Sequence, residues 1–134
     1  MRGLLAFLLI FSVTLMAESW SVVYLSRGVK LQKSDIVNIY FKKMKQKEGQ
    51  SIVALNLDSS NLARKAFLKQ VLHSDLQTWD KYYDELYFMG IKSPVVVKSE
   101  ESMLKFLLKI DRAIGYLPTS KVDKSFTELT RFKF

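Results

Sequence analysis

The densest set of ligand-capable side chains lies at the end of an apolar run. Ile52 to Leu57 is followed by Asp58-Ser59-Ser60-Asn61, and a helical pattern begins at Leu62 with Arg64 one turn in. At a helix start the first backbone N–H groups have no partner inside the helix, and the dipole favours an anion there. Ser59, Ser60 and Asn61 add short side chains that donate hydrogen bonds. Arg64 adds a planar fork suited to two oxygens of one oxyanion. Ser59, Ser60, Asn61 and Arg64 are therefore the candidate binding residues, with phosphate or a similar oxyanion as the ligand. Asp58 opposes an anion unless it accepts a proton from it. The plainer expectation is that Ser59 or Ser60 simply caps the helix and Arg64 stands in solvent.

No catalytic constellation accompanies these residues. The single histidine, His73, falls between two helical patterns with no serine or cysteine partner. Cysteine is absent, which excludes thiolate metal sites and a disulfide framework. Asp and Glu are scattered rather than placed as an acid–base pair. Neither a Walker loop nor a dinucleotide glycine loop is present. The expectation is a protein that is not an enzyme, with no catalytic residue, no metal and no cofactor.

Charge points the same way. The chain of 134 residues carries 21 Lys+Arg against 13 Asp+Glu, a formal net charge of +8. That excess favours anionic partners. Lys42, Lys43, Lys45 and Lys47 form the one dense group, expected as the solvated end of a helix whose dipole suits lysine there. Trp79, Tyr82, Tyr83, Tyr87 and Phe88 could make a sugar platform, but at helical spacing they are expected in the core and at its boundary.

Alternating patterns surround the candidate loop. Trp20 to Leu25 reads as a β-strand and Ser34-Asp35 as a helix start with Ser34 at the N-cap. Ile36, Ile39, Tyr40 and Met44 continue that helix, and Gly49 ends it. Ile52 to Leu57, an apolar run broken only by Asn56, predicts a strand covered on both faces. Leu62, Ala63, Ala66 and Phe67 share one helical stripe. Ser74-Asp75-Leu76-Gln77 matches a capping box with Ser74 as N-cap, followed by a stripe of Leu76, Trp79, Tyr83, Leu86 and Tyr87 up to Gly90. Pro94 to Val97 predicts a strand, Ser99-Glu100-Glu101 a capped helix, and Ala113 to Leu117 another strand stopped by Pro118. Phe126 to Leu129 predicts an edge strand. Strand–helix alternation argues for an α/β sandwich on a small mixed sheet.

The N-terminus sets the compartment. Arg2, the apolar run Leu4 to Met16 and the small residues after it predict a cleaved export signal, too short to span a bilayer. A cut after Ser19 is favoured over one after Ala17. The expected organisation is a signal peptide at 1–19 and one domain at 20–134. Export without cysteine suits a bacterial periplasm, and it excludes nucleic acid as a partner.

The order of segments resembles phosphate-type periplasmic substrate-binding proteins. Ser34 to Lys43 is similar to the "S-x-x-x-[IL]-x-x-I-F-x-G-K" segment of that family, Ile52 to Asn56 to the strand before its ligand loop, and Arg64-Lys65-Ala66-Phe67 to its "R-x-x-F". Trp79, the stretch Phe88 to Pro94, and Ala113-Ile114-Gly115-Tyr116-Leu117-Pro118 (against "G-A-I-G-Y-V") extend the likeness. The resemblance implies a single lobe of a type II periplasmic binding protein, phosphate as ligand, and a membrane transporter or sensor as partner. Two departures stand out. Asn61-Leu62-Ala63 replaces the Ser, Gly and Thr of the family's loop, and Lys42 replaces a glycine. One lobe also leaves the ligand half in water, where charged contacts are weak, so the alternative is an accessory interaction protein that has lost its ligand.

Overall fold

The computed structural model describes residues 18–134. The expected leader lies outside these residues, apart from Glu18 and Ser19. The elements in chain order are β1 (Ser19–Leu25), α1 (Asp35–Tyr40), β2 (Gln46–Lys47), β3 (Gln50–Ser51), β4 (Val53–Leu57), α2 (Leu62–Gln70), α3 (Leu76–Tyr87), β5 (Val95–Val97), α4 (Glu100–Lys109), β6 (Ala113–Pro118), a 3-10 turn at Thr119–Lys121, and β7 (Phe126–Lys133). Five strands form one mixed sheet in the order β5-β4-β6-β1-β7, and β2-β3 is a separate two-stranded ribbon. β4 runs parallel to both β5 and β6, while β1 runs antiparallel to β6 and β7. This is the expected α/β single-lobe architecture.

Helices cover both faces. On one face the Phe67 ring of α2 stacks on Tyr116 of β6 at 4.2 Å between centroids, and Tyr40 of α1 meets Phe67 edge-on at 4.8 Å. On the other, α4 lies close over Gly115, where an added Cβ would come within 2.7 Å of Met103 Sδ. Alternate residues of one strand thus serve two helical layers. β4, between two parallel neighbours, is buried from Ala54 to Leu57, as its apolar run requires, with Asn56 the one polar residue inside it.

The termini of the helices differ from expectation in instructive ways. α1 stops at Tyr40 rather than running through Met44, because Lys42 adopts a left-handed backbone, φ 57. The strain is on the order of 1 kcal/mol for a residue with a Cβ. Ser34 makes no side-chain cap. The buried Asp35 carboxylate instead accepts from Gln32 N at 2.8 Å and pairs with Lys47 Nζ at 3.4 Å. Two tyrosines of α3 serve the far end of α1: Tyr83 Oη donates to the carbonyl of Tyr40, and Tyr82 Oη to that of Phe41. These are carbonyls a helix leaves unpaired at its end. Gly49 ends no helix; with Glu48 it forms the turn of the β2-β3 hairpin, both residues at positive φ, 53 and 75. Asp75, not Ser74, caps α3, accepting from Thr78 N at 2.7 Å. β7 is longer than expected, eight residues to Lys133.

Candidate functional site

Three parallel strands end on one side of the sheet. β4 runs on into residues 58–61, β5 into Lys98-Ser99, and β6 into Thr119–Lys121. From β4 the chain goes out to β5, then crosses to β6 on the other side of β4. The carboxyl ends of β4 and β6 therefore flank the point where the winding reverses, the usual position of a ligand crevice in open α/β sheets. The candidate loop opens at that point.

The loop is tightly organised around helix capping. Asn61, in extended conformation, accepts from Ala63 N at 2.8 Å and is the N-cap of α2. Ser60 N donates to Asp58 Oδ1 at 3.2 Å. Asp58, Ser59 and Ser60 are exposed. The cap is thus neither Ser59 nor Ser60, and both hydroxyls remain at the surface.

Arg64 departs most from expectation. Far from standing in solvent, it is only 5% exposed. Its Nη1 donates to the carbonyl of Leu57 at 2.9 Å, at the tip of β4. The guanidinium carbon lies 5.1 Å from the centre of the Trp79 ring, a desolvated cation–π contact. Its Nε is buried without a hydrogen-bond partner. Among the described residues no carboxylate forms an ion pair with it. A buried charge is normally paired. This one sits in the first turn of α2, where the helix dipole already favours negative charge, so two positive features share one place, eased by the Leu57 carbonyl and the Trp79 face but by no carboxylate among the described residues.

A polar chain of distant residues lies behind the loop. Leu57 N donates to Tyr116 Oη at 3.0 Å, and Tyr116 Oη donates to Asn56 Oδ1 at 2.6 Å. Both backbone groups of Leu57 are therefore held by side chains, one by Tyr116 and one by Arg64. Tyr40 Oη donates to Leu55 O at 2.7 Å. Burial raises the Tyr116 hydroxyl's pKa, an effect reduced by Leu57 N–H and by the Arg64 charge. For Tyr40 burial again dominates, followed by Tyr116, with Arg64 opposing. The structure thus groups Asn56, Tyr116 and Trp79 with Arg64. The signals available in sequence were a polar Asn in an apolar strand and the tyrosine in Ile114-Gly115-Tyr116.

His73 is exposed in a left-handed turn, φ 53, between α2 and α3. Among the described residues no group of three or more His, Asp or Glu side chains is placed to hold a metal ion.

The fold and the position of this loop define one lobe of a periplasmic-binding-protein fold. Solved structures that share this architecture include phosphate-transport proteins. A protein from Clostridium perfringens described as a phosphate ABC transporter substrate-binding protein, with bound phosphate, superposes with a TM-score of 0.65 at 16% identity, over 85% of this chain and 45% of that one. An ABC-type phosphate transport receptor from Vibrio cholerae gives 0.60 at 16% identity, over 85% and 46%. PstS from Borrelia burgdorferi gives 0.57 at 11% identity, over 85% and 48%. The chain spans less than half the length of each. No protein-family model matches it, and no curated protein matches it by sequence.

Proposed function

We propose that the chain is an exported, non-enzymatic binding module of one lobe that holds phosphate or a similar oxyanion weakly at the start of α2. Ser59 and Ser60 offer hydroxyls, Asn61 sets the helix start, and Arg64 supplies the charge. The observation that carries this reading is the buried Arg64 guanidinium, without a carboxylate partner, behind the loop at the carboxyl end of β4. The fold neighbours support the same ligand class, since their descriptions name phosphate. A periplasmic location, with the leader at 1–19 removed, and a membrane transporter or sensor as recipient complete the proposal.

With one lobe the anion keeps much of its hydration, and each charged contact contributes only about 1 kcal/mol or less. Affinity in the millimolar range is expected. Titration calorimetry with inorganic phosphate tests this, using Arg64→Met as the control. Methionine fills similar space without charge, so the fold should persist while the binding heat disappears. Heat that is unchanged in Arg64→Met would sink the assignment. A second reading, an accessory interaction protein without a ligand, is favoured by one feature: Asn61 and Arg64 Nη1 already bond within the protein. It predicts no phosphate heat in either protein.

A further inference from the structure

At the opposite end of β4, three lysines line one cavity. Lys42, Lys45 and Lys92 surround a space of about 340 Å³ whose apolar lining includes Ile39, Met44 and Ile52. No acidic side chain lines it. Lys47, next in the same lysine group, is matched by Asp35, but Lys42, Lys45 and Lys92 form no ion pair among the described residues. Lys42 is half-buried, and burial, then the Lys45 charge, hold its ammonium below the usual lysine range. Lys43 and Lys45 are exposed past the end of α1, as expected of a solvated helix end, while Lys42 is drawn partly inward, and Lys45 and Lys92 add exposed like charges around it.

The rim of this cavity continues into an apolar tip. Tyr87, Phe88 and Met89 are 75%, 88% and 73% exposed, three successive large side chains outside the core. Gly90, at φ +77, turns the chain there, and Gly90, Ile91 and Lys92 return into the cavity wall. Adjacent exposed apolar side chains mark contact surfaces. An apolar tip beside clustered lysines has the two complementary features that hold a peripheral protein on an anionic bilayer. Asp80, Asp84 and Glu85 share a separate depression with Phe88, and Glu48 is exposed in the β2-β3 turn. These carboxylates border the tip on its α3 side and oppose an anionic surface, so only the side from Met89 to Lys92 suits docking.

We propose that this corner docks on an anionic phospholipid membrane, with Lys42, Lys45 and Lys92 taking the headgroup phosphate and Phe88 and Met89 entering the interface. The lipid phosphate matches the lysine cavity, and the acyl boundary matches the tip. The inference is independent of the oxyanion site, which opens at the other end of β4 and would face away from the bilayer.

Vesicle co-sedimentation tests it, with phosphatidylcholine vesicles made with and without phosphatidylglycerol. The full chain is used throughout, so any leader contribution is common to all variants. Preference for the anionic vesicles should be about tenfold or more. It should be lost in Lys42→Ala/Lys92→Ala and in Phe88→Ser/Met89→Ser, with circular dichroism unchanged. Lys98→Ala/Lys124→Ala, an equal loss of charge elsewhere, should keep it. Equal loss in that control, or no preference in the parent protein, overturns the proposal. So does inorganic phosphate binding that depends on Lys42 without vesicle binding. A dimer in sedimentation equilibrium that Phe88→Ser/Met89→Ser dissolves, again without vesicle binding, assigns the tip to a second copy and overturns it too.

Discussion

Buried hydroxyls at the centre of the molecule give the protein a defined alkaline limit. Tyr40, Tyr83 and Tyr116 are all held above the ordinary tyrosine value of 10.0, chiefly by burial. In the folded protein each keeps its proton after the unfolded chain has lost it. Their contribution is therefore whole below pH about 10 and drains away as pH rises beyond it, at up to about 1.4 kcal/mol per pH unit for each tyrosine. Denaturant midpoints measured from pH 8 to 11 should be flat and then fall. The fall should be shallower in Tyr83→Phe, provided that variant folds. Tyr116→Phe has a second cost at neutral pH, because it strips Leu57 N–H of its acceptor and Asn56 Oδ1 of its donor. A loss of about 1–3 kcal/mol is expected from chemical denaturation.

At the scale of elements, close approaches and caps decide which substitutions matter. A Cβ on Gly28 would overlap the backbone carbonyl of Asp111, which has no freedom to swing aside. Gly28→Ala should cost more than about 2 kcal/mol in thermal or urea unfolding. Asn61→Ala removes the α2 cap and should cost about 1 kcal/mol, whereas Ser59→Ala and Ser60→Ala should leave stability unchanged while weakening phosphate binding. Much of this layer was legible in sequence. The apolar run of β4 and the Ser99 cap, which accepts from Ser102 N at 3.1 Å, follow from local rules. What was not legible was set by distant partners. Asp75 and Ser74 are both good caps, and backbone geometry chose between them. α1 ended early because Lys42 turned left-handed and α3 supplied tyrosines for its last carbonyls. The candidate loop could be seen, but not the burial of Arg64, because its cover, Trp79, comes from a different helix.

For the whole molecule, the proposed binding by a single lobe would reach its ligand from one side only. A ligand that binds the folded state raises its stability by RT ln(1 + [L]/Kd). Phosphate should therefore raise the melting temperature only as its concentration passes the millimolar range, and not at all in Arg64→Met. Thermal shift across a phosphate series at constant ionic strength checks this, with sulfate in parallel to compare oxyanions. The sheet topology carries a further consequence. β1 is flanked by β6 and β7, and its Ser19 is in register with Lys133, near the opposite end of the chain. Completing the pairing of β1 therefore closes a loop that contains every other element, a large entropic cost that should make this edge of the sheet a late step in refolding.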